Sequence, residues 1–236
     1  MPVFEAIDIS VAFGALRAVD GVSVGAEGGS LIGLIGPNGA GKTTFVDAVT
    51  GFTPCRGRVV LDGRDLTNAA PHERVRAGLS RTWQGVELFD DLTVAENVMV
   101  AAPRHKRDKR RAEQFLDEVR MADLAGRNPR ELSHGQRTLV GVARALATSP
   151  RLLCLDEPAA GLDPAESDAL GKRLRAIADR GVSILLIDHD MSLVLSCCDD
   201  IYVVDFGTVI AQGAPQAIRT DARVIDAYLG TGVSAS

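Results

Sequence analysis

The run Gly36-Pro37-Asn38-Gly39-Ala40-Gly41-Lys42-Thr43-Thr44 constrains the fold more than any other part of this chain. It follows the apolar stretch Leu31-Ile32-Gly33-Leu34-Ile35, which reads as a buried strand, and it precedes Phe45 to Thr50, which reads as a helix. A glycine-rich loop between a strand and a helix is the context of a phosphate-binding loop. Gly36, Gly39 and Gly41 let the backbone curl so that successive N–H groups point inward at phosphate oxygens. The helix that starts near Gly41 adds the positive end of its dipole. Lys42 supplies a point charge for the β- and γ-phosphates, and the Thr43 hydroxyl a ligand for Mg²⁺. A glycine-rich turn with a solvated lysine is the plainer reading, but it does not call for the flanking strand and helix. The loop therefore predicts a nucleotide-binding α/β protein.

The balance of residues narrows the class. Hydrophobic residues make up 46 % of the 236 and charged ones 24 %, as in an ordinary globular protein with a substantial core. A net charge of −5 argues against general nucleic-acid binding. Cys55, Cys154, Cys197 and Cys198 show no metal-ligand spacing, and adjacent Cys197 and Cys198 make a poor disulfide pair. The set fits a reducing compartment, with Cys154 a small buried hydrophobe inside an apolar strand. The N-terminus carries no secretory signal, and no stretch approaches the ~20 apolar residues of a membrane helix. A membrane role would come through a partner.

Ahead of the loop, Val3 to Ile9 alternates as a strand, and Val19 to Val24 resumes after a turn near Gly14. Phe13 in that bend reads either as a turn aromatic covering the core edge or as a ring that stacks on a base. Gly51 is placed to close the loop helix. Residues 57–63 form a short strand, Pro71 to Ala77 a helix, and Gly78 to Gln84 runs back into the sheet. The middle then turns helical, over Thr93–Ala102 and Asp108–Met121, with no strong strand before Leu152. Its basic run, 104–111, is a solvated helix entry or a surface facing anionic lipid headgroups. Leu88 and Phe89 sit in a segment rich in Asp and Glu, and either a partner covers them or Phe89 packs into the local core. Ser133 is a good N-cap for a helix from about Gly135 to Ala147, with Leu139, Val142, Ala143 and Leu146 on one face.

The buried strand Leu152-Leu153-Cys154-Leu155 finishes in Asp156-Glu157-Pro158. A strand running into two carboxylates is the second half of a nucleotide site, with Asp156 for Mg²⁺ and Glu157 to polarise the attacking water. Asp163 to Asp179 is an amphipathic helix. A further strand, Ser183 to Ile187, ends at Asp188-His189-Asp190. His189 is a polar turn residue or, at the carboxyl edge of the same sheet, a group that reaches a γ-phosphate. Met191 to Cys198 reads as a helix, Ile201–Val204 and Val209-Ile210 as strands, and residues 215–229 as ending in a helix before a frayed tail.

Taken in order, Phe13, the loop 36–44, Gln84, Leu132-Ser133-His134-Gly135-Gln136, Asp156-Glu157, Gly161-Leu162-Asp163 and His189 resemble the ATP-binding subunit of an ABC transporter. The resemblance implies a P-loop NTPase core with a mixed sheet and an antiparallel β subdomain, over 1–84 and 151–236. A helical subdomain is inserted over 85–150. It implies ATP and Mg²⁺ as cofactors. Residues 36–44 would hold the phosphates, Phe13 the adenine, and Thr43, Asp156 and Gln84 the metal. Glu157, His189 and Gln84 would be catalytic. Ser133, Gly135 and Gln136 match the LSGGQ motif, which in the family faces the γ-phosphate of ATP bound to the opposite subunit, and Asp163 matches a residue that crosses the dimer interface. His134 stands where that motif has its first glycine.

Finer matches narrow the group. Thr50-Gly51-Phe52, Arg81-Thr82-Trp83-Gln84, Leu88-Phe89 with Thr93 to Asn97, Pro158 to Pro164, Asp188 to Met191 and Ala227 to Gly230 are similar to branched-chain amino-acid ABC importers. Trp83 and Asp188 replace the usual Phe and Glu there, and lipopolysaccharide-export ATPases are near relatives. The resemblance implies a second ATP-binding subunit and transmembrane permease subunits as partners, a substrate-binding protein only indirectly, and no nucleic acid. It also implies peripheral attachment, through the permease, at the cytoplasmic face of the inner membrane. A soluble ABC ATPase of DNA repair would insert a long coiled coil before Ser133, and no sustained heptads occur there. A P-loop kinase would need an acceptor site that the sequence does not suggest.

Overall fold

A computed structural model describes residues 2–83, 87–103 and 108–229. Strands β1 (Phe4–Phe13) and β2 (Leu16–Ala26) form a hairpin whose tight turn is at Gly14. With β4 (Arg56–Leu61) and β5 (Arg64–Asp65) they make a four-stranded antiparallel sheet in the order β2-β1-β4-β5. The second sheet is mixed. Its order is β10-β9-β3-β8-β7-β6, built from β3 (Leu31–Ile35), β6 (Leu79–Arg81), β7 (Leu152–Asp156), β8 (Ser183–Ile187), β9 (Asp200–Asp205) and β10 (Thr208–Gly213). Among the described residues its β9–β10 pair is antiparallel and the other pairs are parallel.

The central strands are apolar at nearly every position because both of their faces are covered. Ile32 and Leu34 of β3, Cys154 of β7 and Ile187 of β8 face one cluster, with Phe4, Val22 and helix α1 (Lys42–Thr50). Leu31, Ile35, Leu153, Leu155 and Leu186 alternate to the opposite cluster. That second cluster takes in α3 (Val94–Ala101), α4 (Lys109–Glu118), α5 (His134–Leu146), α6 (Pro164–Ala178) and α7 (Met191–Cys197). The short α2 (Pro71–Ala77) leads into β6. Among the described residues no helix is long and apolar enough to cross a membrane.

Residues 215–229 end in a helix as expected, α9 (Ala222–Leu229), and the short α8 (Pro215–Thr220) precedes it; Asp221 between them is extended and its carboxylate accepts the Arg223 N–H at 2.9 Å. Two expectations need correction. The helix expected to run to Met121 ends at Glu118, and Arg120 is left-handed, with φ +57°. Leu88 is buried in the helical cluster, whereas Phe89 next to it is half exposed. The four cysteines are free, and three of them are buried. The basic residues 104–107, Gln84 and the tail from Gly230 lie outside the described residues.

Candidate functional site

Register brings the strand ends together. Leu34 and Asp156 both pair with Ile187, so the carboxyl ends of β3, β7 and β8 lie abreast, and the loops leaving them meet at one edge. The phosphate loop is pressed into that edge by its own backbone. A Cβ on Gly36 (φ +153°) would overlap the Val204 carbonyl oxygen, and one on Gly41 (φ +103°) that of Ala18, so these two places admit glycine alone. The Gly207 N–H donates to the Ala40 carbonyl at 3.0 Å and pins the loop to the β9–β10 turn. Helix α1 starts after Gly41 with no side-chain cap, so its first amides are left for a ligand.

Lys42 is 7 % exposed, and its Nζ donates to the carbonyls of Gly36 at 2.7 Å and Pro37 at 2.9 Å. Burial holds its pKa below the ordinary lysine value, with Glu157 and then Asp156 pulling the other way. Asp156 is buried, which pushes its carboxyl above the usual range, and the guanidinium of Arg81 opposes that shift. Glu157 stands in a left-handed conformation, φ +49°, with its N–H on the Ile187 carbonyl at 2.7 Å. His189 is exposed, with Nδ1 at 3.9 Å from Oε2 of Glu157 and 3.7 Å from Oδ1 of Asp188. The structure thus collects Lys42, Asp156, Glu157 and His189 at one edge. A buried cation, a buried carboxylate and a carboxylate close to a histidine form a set that can bind a polyphosphate and polarise a water beside it.

The other predicted residues stand apart. Ser133 caps α5 in a reciprocal pair: the Gln136 N–H donates to its Oγ at 3.3 Å, and the Ser133 N–H donates to Oε1 of Gln136 at 2.9 Å. A Cβ on Gly135 would press on Leu162 and Glu166. Asp163 caps α6, accepting the N–H groups of Ala165 and Glu166 at 2.8 Å. These residues line a cavity of about 440 Å³ to which no phosphate-loop residue contributes. His134 reaches the other way and donates from Nε2 to the Ala160 carbonyl at 2.8 Å, joining α5 to the loop that leaves Glu157. Phe13, at the hairpin tip, is exposed.

Sequence reasoning passed over two groups that shape the site. Asp188 is fully buried and accepts the N–H of Ala159 at 3.0 Å and of Asp190 at 2.9 Å, so one carboxylate aligns the two loops carrying Glu157 and His189. Burial raises its pKa. Its signal was a strand that finishes in an acid flanked by polar turn residues. Arg81 is the second, and its partner Asp47 lies on α1. A charged residue closing a three-residue strand was the hint.

Residues 19–160 match the ABC transporter family, and the chain belongs to that family: it is an ATP-binding cassette and an ATPase. Residues 208–234 match the branched-chain amino acid ATP-binding cassette transporter family. The chain is 40 % identical to the high-affinity branched-chain amino acid transport ATP-binding protein BraF of Pseudomonas aeruginosa, over 97 % of this chain and 98 % of that one. It is 36 % identical to the corresponding LivG of Escherichia coli, over 97 % and 98 %. The lipopolysaccharide export system ATP-binding protein LptB of Haemophilus influenzae is 33 % identical over 98 % of both. In three dimensions the chain is similar to the crystal structure of an ABC transporter cassette in its ADP conformation. That match has a TM-score of 0.89 at 30 % identity and covers 98 % of this chain and 99 % of that one.

Proposed function

We propose that this chain is the ATP-hydrolysing subunit of an importer for branched-chain amino acids, held at the cytoplasmic face of the inner membrane by permease subunits. The observation that carries this reading is the meeting of Lys42, Asp156, Glu157 and His189 at one sheet edge, while Ser133, Gly135 and Asp163 face a different cavity. Half of the phosphate-binding machinery has no phosphate to meet within its own chain. Two copies, or this chain and a similar one, complete each other's sites. The transported class follows the names of the relatives and the match over residues 208–234, which favours amino-acid import over lipopolysaccharide export. The substrate-binding protein acts only through the permease.

In this reading the amides of residues 36–44 and the Lys42 ammonium bind the β- and γ-phosphates, and Phe13 covers the base. Glu157 polarises the attacking water, and His189 holds the γ-phosphate in line. A metal fits the oxygen donors here: the Thr43 hydroxyl, the buried Asp156 carboxylate and Gln84, which lies outside the described residues. No cluster of three or more His, Cys, Asp or Glu residues suited to a metal occurs among the described residues. Mg²⁺ is held by one or two carboxylates plus the nucleotide's phosphates, and the buried Asp156 is such a carboxylate. When bound it neutralises charge on the phosphates. The boundary between core (1–84 and 151–236) and helical part (85–150) is proposed on the same grounds. A groove of about 550 Å³, lined by Phe52, Trp83, Val75, Ala101 and Ala145, is the surface proposed to receive the permease.

The test is Glu157→Gln. The variant should bind MgATP, hydrolyse it barely, and sediment as a dimer when ATP is trapped. Reconstituted with permease and binding protein, the natural chain should hydrolyse faster when leucine is added. A chain that stays monomeric at saturating ATP with full turnover overturns the proposal.

A further inference from the structure

Arg81 has no task in that scheme, yet its side chain is 5 % exposed and lies directly against the metal-site carboxylate. One terminal nitrogen donates to Asp47 on α1, and the other to Oδ2 of Asp156 on β7 at 3.2 Å. The flat face of the guanidinium is covered by the indole of Trp83, with 4.0 Å from its central carbon to the ring centroid. The Phe52 ring lies 5.8 Å away and meets Trp83 edge to face at 4.8 Å. Phe52 and Trp83 are both half exposed and line the groove. The guanidinium is therefore the layer between the aromatic wall of the groove and the carboxylate that would hold the metal.

All donors of a guanidinium lie in one plane, so a ring stacked on that plane dictates where its N–H groups point. Tilting the indole tilts the fork, and the fork cannot tilt without lengthening the bonds to Asp156 and Asp47. A lysine at this place would keep the charge but have no plane to be stacked. Asp47 holds the other end of the fork to α1, the helix whose N-terminus carries Lys42 and Thr43, so the same group also fixes the distance between α1 and β7.

We propose that Arg81 is a positioning residue: it orients the Asp156 carboxylate for a metal–nucleotide complex, and Trp83 above it transmits the state of the groove to that carboxylate. The inference deepens the ATPase reading and rests on it. It gives the groove a physical route to the metal site through groups on β6 and at its end, separate from Gln84.

Trp83 is the chain's single tryptophan, so its emission reports on this stack alone. The experiment uses the full chain carrying Glu157→Gln, to keep ATP intact, and measures ATP binding in EDTA, the Mg²⁺ concentration that half-saturates the ATP-loaded protein, and Trp83 emission. Mg²⁺ should shift the emission of the parent. Adding Arg81→Lys should leave ATP binding in EDTA within about twofold, raise the Mg²⁺ requirement at least tenfold and abolish the emission shift. Trp83→Ala, at a half-exposed position, should raise the Mg²⁺ requirement about threefold. If both variants keep the parent's Mg²⁺ requirement within twofold, the proposal is overturned. It is equally overturned if Arg81→Lys loses ATP binding to the same degree with and without metal, since Arg81 then only ties α1 to the sheet. A parent that binds no ATP under either condition refutes the ATPase reading itself, which is a separate result.

Discussion

The two helices whose N-termini are proposed to face phosphate begin in opposite ways. Helix α1 starts after a left-handed glycine with no side-chain acceptor, and a buried lysine occupies its first position. Helix α5 starts after Ser133 with both halves of a capping box in place, at an exposed surface, and carries no acidic residue in its first turn. An uncapped N-terminus keeps its amides for a ligand, so at α1 the nucleotide itself is the cap. At α5 the amides of Ser133 and Gln136 are already satisfied, which leaves the dipole and the remaining amides for a weaker contact. The difference fits the proposed division of work, in which α1 holds the nucleotide within one chain and α5 meets a phosphate carried by another.

Substitutions can break or sharpen this contrast. The largest effect should come from the group between the two helices: Glu157→Gln should lower the turnover number by about 10²- to 10⁴-fold with ATP binding retained, measured by phosphate release beside calorimetric titration. Next, Lys42→Ala should weaken ATP binding by about 10- to 100-fold, because it removes a charge-assisted contact worth roughly 1.5–3 kcal/mol. Phe13→Ala should cost about 1–2 kcal/mol of base stacking, seen as weaker binding of ATP by titration, and unchanged affinity would return that ring to the hairpin tip as a turn residue. Ser133→Ala should lower stability by about 1 kcal/mol in denaturant unfolding, and slow hydrolysis, without changing ATP affinity of the monomer. If it weakened monomer binding as much as Lys42→Ala does, the two N-termini would be doing the same job and the contrast would fall.

Most of the site was legible because its parts are local. A glycine loop, a strand ending in two acids and a serine three residues before a glutamine are patterns of adjacent residues whose physics needs no third dimension. Arg81 was not legible in this way. Its meaning depends on Asp47, 34 positions upstream, and Asp156, 75 positions downstream, meeting at one point, and no spacing rule connects them. Asp188 was quoted as a departure in a motif, but its burial comes only when the loops after β7 and β8 fold over it.

The left-handed backbone of Glu157 has a consequence for how such a chain changes over generations. A non-glycine residue at φ +49° costs the fold on the order of 1 kcal/mol, and asparagine or glycine accepts that conformation more readily. Selection for persistence alone therefore pushes this position away from a carboxylate, and under the proposed role of Glu157 only selection for turnover keeps it. A duplicated copy that needed to bind ATP but not to split it would lose Glu157 early and become harder to melt as it did so. Hydrolysis is the trait that this backbone is least inclined to preserve by accident.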